Sequence, residues 1–144
     1  MERTRSKTKV IQFMKSIDVL NESKAKLIIS ELVKSSVRHF LIAPGSRSTP
    51  LALAASENPL AKTFVHFDER GLAFAGVGIA KATQNPVCLI CTSGTAVANF
   101  YPAIVEASMS FTPLIILIAD RPSENRDNGS NQTIDQVKMF GSYL

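Results

Sequence analysis

Apolar and polar positions fall in blocks along this chain, and the period of the blocks changes in a regular order. From Asn21 to about Ser35, "NESKAKLIISELVKSS" puts Ala25, Ile28, Ile29 and Leu32 on one face of a 3.6-residue repeat. That pattern predicts an amphipathic helix with Asn21 as its cap. "HFLIAP" follows with no polar alternation, the pattern of a strand covered on both faces in a parallel sheet. The two kinds of block then recur. Helices are predicted in "TPLALAASEN", "GLAFAGVGIAKAT" and "TAVANFYPAIVEASMS", and strands in "TFVHF", "PVCLICT" and "PLIILIA".

A strand–helix–strand series of this kind predicts an α/β fold, a parallel β-sheet with right-handed crossovers and helices on both faces. Its loops share one edge, and ligands of such sheets bind outside the carboxyl ends of the strands. The segments predicted there are Pro44 to Ser48, Asp68 to Arg70, Ser93 to Thr95, and Asp120 onward. After Arg121 the periodicity fades, and "PSENRDNGSNQTIDQVKMFGSYL" reads as a polar loop with at most a short helix. No closing element is evident before Leu144.

Composition narrows the function classes. With 144 residues, 45% hydrophobic and 19% charged, one globular domain with a sizeable core is expected. No apolar stretch is long enough for a membrane span and no secretory signal is evident, which predicts a cytoplasmic location without membrane association. Five basic residues and one acid in the first fifteen positions account for the whole net charge of +4. Residues 1–19 therefore read as a basic N-terminal extension on a neutral domain, and no nucleic-acid partner is expected. Cys88 and Cys91 form a C-x-x-C inside an apolar strand, where positions three apart point to opposite faces, so core packing is expected rather than redox chemistry.

The polar segments at the edge carry the candidate chemistry. "PGSRS" places two hydroxyls and a guanidinium directly behind a strand, which suits an anion. "TSGTA" sets small residues and hydroxyls at a helix start, where free N–H groups attract anions or polar atoms, although the same turn is also an ordinary strand-to-helix connection. Neither G-x-G-x-x-G nor G-x-x-x-x-G-K-[ST] occurs. In "HFDERG" the acids suit a helix N-terminus. The helix that follows is apolar around nearly its whole circumference, so it is expected to be buried or at an interface. A carboxylate at its start is then partly desolvated, where proton-sharing hydrogen bonds strengthen. For Arg121 the plainer alternative is a salt bridge to Asp120 or Asp127.

Taken together, "IAPGSRSTPL", "HFDERG", "CTSGTAVAN", "ADRP" and "NQTIDQ", in this order, resemble the N-terminal pyrimidine-binding domain of thiamine-diphosphate enzymes. The resemblance covers residues 20–144. P-G-S-R-S and the pairing of A-D-R-P with N-Q resemble in particular the synthases that join 2-oxoglutarate to isochorismate in menaquinone or phylloquinone biosynthesis. It implies thiamine diphosphate as cofactor, with Glu69 as the catalytic residue that bonds N1′ of the aminopyrimidine and favours its imino tautomer. Pro44, Thr95 and Asn99 are implied beside the pyrimidine. Ser46, Arg47, Arg121, Asn131 and Gln132 are implied as the isochorismate site on this domain.

The same resemblance implies a transferase that is a homodimer or homotetramer. Its Mg2+ or Mn2+ would be bound mainly by a second domain absent from this chain, with no metal ligand here. Family enzymes are several times longer, so the chain is expected to be an inactive N-terminal part, truncated within its domain. "SEN" at 123–125 replaces the more usual Pro-Glu-Leu, away from any implied ligand. An acetolactate-synthase-like enzyme and a non-catalytic binding module stay open at this point.

Overall fold

The computed structural model describes residues 2–126 and 128–144, with side chains from Asp18 onward. Helix α1 spans Glu2–Lys34, followed by β1 (His39–Ile42), α2 (Thr49–Glu57), β2 (Lys62–Val65), α3 (Glu69–Thr83), β3 (Val87–Cys91), α4 (Thr95–Asn99), α5 (Tyr101–Met109) and β4 (Leu114–Ile118). The four strands form one parallel sheet in the order β2-β1-β3-β4. The α/β expectation is met, strand by strand.

Two helix predictions need correction. α1 does not start at Asn21, which lies inside the helix. No Gly or Pro precedes Pro44, so nothing in the backbone chemistry halts the helix earlier. On its inner face Ala25, Ile29 and Val33 are buried, whereas Ile28 is exposed. The predicted single helix from Thr95 to Ser110 is two, broken at Phe100. Pro102 has no N–H to donate to Ala98, so the ladder is interrupted there, and Phe100 is wholly buried as the pivot.

Strand alternation sorts the core into two layers. Phe40, Ile42, Cys88 and Ile90 face α1 and α2, packing on Ala25, Ile29, Val33, Ala54 and Ala55. Leu41, Val87, Leu89 and Cys91 face the other layer, against Leu72, Ala73, Val77, Val97, Phe100 and Ile104. Burial of each large apolar side chain contributes about 1.5–3 kcal/mol. The two cysteines stand in different layers, both reduced, and burial pushes each thiol up to about 12. β2 is the exception, exposed at every residue.

The strand order reverses between β1 and β3, which makes their carboxyl ends the switch point of the sheet. The loop after β1 and the turn after β3 meet there. Beyond β4, the segment from Asp120 returns across the same edge through a short 3-10 turn at Ser123–Asn125. A second 3-10 turn, Gly141–Tyr143, lies near the end. Among the described residues no helix is long and apolar enough to cross a membrane.

Candidate active site at the carboxyl edge of the sheet

The loop after β1 is held by close backbone approach. A Cβ on Gly45 would stand 2.4 Å from Thr92 Cβ, so only glycine lets the loop lie on the end of β3. Ser48 Oγ donates to the Gly45 carbonyl at 3.0 Å and closes the 3-10 turn Ser46–Ser48. That turn aims Arg47 across the switch point. Its Nη1 donates to Ser93 Oγ at 3.0 Å and to Gln132 Oε1 at 2.8 Å, and its Nη2 donates to the Asn131 carbonyl at 2.9 Å.

Arg121 reaches the same carbonyl, its Nη2 donating to Asn131 O at 3.1 Å. Two guanidinium groups thus converge on one oxygen. Arg121 Nε is buried and takes no partner among the described residues. The predicted alternative pairing of Arg121 with the Asp120 side chain does not occur. Asp120 Oδ1 accepts from the Arg121 backbone N–H at 2.7 Å, and Asp120 Oδ2 pairs with Arg126 at 2.8 Å. Asp127, the other alternative, lies outside the described residues.

The turn after β3 completes this end. Ser93 is buried, and its hydroxyl donates to the Gln132 carbonyl at 2.6 Å while accepting from Arg47. Gly94 has φ +83, and a Cβ there would stand 2.9 Å from Gln132 Cα, so its lack of a side chain serves both the turn and the approach. Gln132 itself is left-handed at φ +54.

Glu69 reaches the same edge from the loop after β2, at the start of α3. Asp68 is the cap of α3, accepting from the Gly71 N–H at 3.0 Å, and that bond holds its carboxyl below its ordinary range. The helix-start reading therefore suits Asp68, and Glu69 is left half-buried at the first helical position. Among the described residues its carboxylate takes one hydrogen bond, from Asn99 Nδ2 at 3.4 Å. Its charge also adds to the rise of the Cys91 thiol, behind burial as the larger cause. Glu69 thus stands near the end of β3 over a thiol that stays protonated at neutral pH, with acceptor capacity to spare.

Of the predicted residues, Arg47, Arg121, Asn131 and Gln132 meet in one network, and Glu69 meets Asn99. Pro44, Ser46 and Thr95 are exposed at the same edge and take no side-chain part in either network. Sequence reasoning passed over Ser93 and Gln136. Ser93 lay in the quoted "TSGTA" and Gln136 closes the quoted "NQTIDQ", and their polar side chains beside the implied ligands were the available signal.

The fold is an α/β domain whose sheet presents a half-buried carboxylate and a polar turn at its carboxyl edge. Residues 23–139 match the family described as thiamine pyrophosphate enzyme, N-terminal TPP binding domain, and the chain belongs to that family. Proteins named 2-succinyl-5-enolpyruvyl-6-hydroxy-3-cyclohexene-1-carboxylate synthase are similar to it. The one from Roseiflexus castenholzii is 55% identical over 119 residues, covering 83% of this chain and 20% of that protein. The one from Psychromonas ingrahamii is 57% identical over 119 residues, with the same coverage of 83% and 20%. The one from Aliivibrio fischeri is 53% identical over 126 residues, covering 88% of this chain and 22% of its own length. The chain spans about one fifth of the length of the curated relatives it matches.

Proposed function

We propose that this chain is the pyrimidine-binding N-terminal part of a thiamine-diphosphate-dependent transferase that decarboxylates 2-oxoglutarate and adds the succinyl unit 1,4 to isochorismate, in menaquinone or phylloquinone biosynthesis. The observation that carries the reading is the convergence of Arg47 and Arg121 on the Asn131 carbonyl. Both proposed substrates are polycarboxylates, and paired guanidinium forks suit a carboxylate better than any neutral group. The names of the relatives support the same substrates.

The residues fit the cofactor on their own geometry. Glu69 has a half-buried carboxylate with one long hydrogen bond, so it can hold a proton between itself and a pyrimidine nitrogen. Asn99 keeps that carboxylate in place. Pro44, in the loop after β1, and Thr95, at the start of α4, would flank the ring. Bound thiamine diphosphate supplies the electron sink for decarboxylation and carbon–carbon bond formation. Ser46, Arg47, Arg121, Asn131 and Gln132 would orient isochorismate, with the guanidinium groups neutralising its carboxylates.

Among the described residues no group of three or more His, Cys, Asp or Glu is placed to hold a metal ion. We assign the Mg2+ or Mn2+ and the diphosphate contacts to the part of the enzyme beyond this chain, and a cytoplasmic location to the whole. Phe64, Val65, Phe67 and Phe74 are exposed on β2, its following loop and α3. Phe64 and Phe74 lie on the α3 side of the sheet and Val65 on the other, and together these exposed apolar side chains support a homodimer or homotetramer joined along the β2 edge and α3.

The test is an assay of the full-length protein with thiamine diphosphate, Mg2+, 2-oxoglutarate and isochorismate. Carbon dioxide release coupled to loss of isochorismate is expected. Consumption of pyruvate in preference to 2-oxoglutarate would overturn the substrate assignment in favour of an acetolactate-synthase-like enzyme. Absence of any turnover with cofactor bound would favour a binding module.

A further inference from the structure

Besides Arg47 and Arg121, the segment from Asn131 to Gln136 is gripped by residues not proposed to read a substrate. Gln136, half-buried, uses both ends of its amide. Its Oε1 accepts from the Gly94 N–H at 3.2 Å, and its Nε2 donates to the Ala119 carbonyl at 3.2 Å. Gly94 opens the turn into α4 and Ala119 directly follows β4, so one side chain ties two adjacent strand ends. Four residues earlier, the carbonyl of left-handed Gln132 accepts from Ser93.

The Gln132 backbone lies tightly against Gly94, but beside residues 133–137 the segment borders open space. A cleft of about 260 Å³ lined by Asp120, Arg126, Thr133 and Gln136, among others, opens there. Along the cleft the segment is held by discrete hydrogen bonds, and Gln136 supplies two of them. The segment in turn sets the arginines, because Arg47 and Arg121 both donate to the Asn131 carbonyl. Where that oxygen moves, the two like-charged forks move with it.

We propose that Gln136 is a positioning residue for the anionic-substrate end of the site, seating residues 131–136 so that Arg47 and Arg121 hold the spacing a carboxylate requires. The inference rests on the function proposed above and deepens it. Gln136 makes no hydrogen bond to either arginine among the described residues. It acts through the backbone of its own segment, and it makes no hydrogen bond to Glu69 or to Asn99 among the described residues.

The test uses the full-length protein and Gln136→Met, which keeps the length of the side chain and removes both hydrogen bonds. KM for isochorismate is expected to rise about tenfold, the size two neutral hydrogen bonds carry. The rate of 2-oxoglutarate decarboxylation in the first half-reaction should stay within about twofold, since no bond to Glu69 changes. An unchanged isochorismate KM, or equal losses in both half-reactions, would overturn the proposal. If Gln136→Met does not fold, Gln136→Glu decides on the same readouts. It keeps the acceptor for Gly94 and loses the donor to Ala119, so a rise in isochorismate KM alone supports the proposal and an unchanged KM overturns it. If the wild-type protein does not use isochorismate, the proposed function fails, and the seating is judged by amide exchange in Gln136→Met. Faster exchange at Gly94 and Gln132 supports it, and unchanged exchange overturns it.

Discussion

Entering the sheet edge from the loop after β2, Glu69 accepts a single hydrogen bond among the described residues, from Asn99 at 3.4 Å, and the strand leading to it is exposed at every residue. Across the switch point Arg47 alone makes three hydrogen bonds, to Ser93, Gln132 and Asn131. The arginine end is assembled within one chain before any ligand arrives, which lowers the ordering cost of binding an anion. The glutamate end is open, with Phe64 50%, Val65 67% and Phe67 87% exposed beside it. One edge therefore joins a preorganised charge fork to a carboxylate that requires outside cover to become a dry site. Substitutions at the two ends should separate these properties.

The largest effect is expected at Glu69. In the full-length enzyme Glu69→Gln keeps the shape and the bond from Asn99 but loses the carboxylate that shares a proton. Turnover should fall by roughly 10²–10⁴-fold, the usual contribution of general acid–base catalysis. Exchange of the cofactor C2 proton, followed by NMR, should slow with it, while the melting temperature stays unchanged because the open end contributes little to the fold. An unchanged exchange rate would remove Glu69 from the chemistry.

Arg47→Ala tests the opposite end and should differ in kind. It removes three hydrogen bonds that cross the switch point, so both stability and isochorismate use should suffer. Loss of a charged hydrogen bond costs about 1.5–3 kcal/mol, or roughly one to two decades in KM. Arg121→Ala should weaken isochorismate use with less effect on melting, since it contributes one side-chain hydrogen bond among the described residues. Half-reaction kinetics separate the cases. Equal damage by Arg47→Ala to 2-oxoglutarate decarboxylation would mean that the arginine shapes the whole edge rather than reading the second substrate.

Much of this contrast was legible in the chain, and the unread part has a physical reason. The strands were readable because "FLI", "VCLIC" and "LIILI" are apolar without interruption, and strand alternation by itself separated Cys88 from Cys91. The break at Phe100 was visible in Pro102 but was outweighed by the apolar run on either side. The start of α1 was misjudged because the apolar stripe begins late, whereas the helix-permissive residues begin at Glu2. Ser93 and Gln136 were hidden for a different reason. Their partners lie 39 and 42 residues away, and the pairing depends on a left-handed turn at Gln132 that no local pattern announces.

Gly45→Ala should act between these extremes. The added methyl meets the Thr92 side chain at 2.4 Å, and Thr92 is itself buried, so the loop must lift from β3. Overpacking of this kind costs about 1–3 kcal/mol. Denaturant unfolding should register the loss. Because the lifted turn carries Arg47, the isochorismate KM should rise while the C2-proton exchange assigned to Glu69 persists. Loss of both together would show that the two ends are mechanically one.

The smallest expected effect, at Gly78, is the sharpest test of what covers the open end. Gly78 lies inside α3, is exposed, and a Cβ there would meet nothing within 4 Å. A glycine in the interior of an exposed helix costs roughly 0.5–1 kcal/mol relative to alanine, through the extra freedom of the unfolded chain. For the 144-residue chain as a monomer, Gly78→Ala should therefore raise the unfolding free energy by about that amount. The same methyl has another meaning if α3 packs against a second copy, as its exposed Phe74 suggests. A glycine then permits close approach, and alanine should weaken association of the full-length protein even as it stabilises the single chain. Sedimentation and thermal unfolding of the two forms, run side by side, separate these terms. A gain in stability with association intact would mean that α3 keeps this face open in the assembly, and that the cover for Glu69 comes from elsewhere.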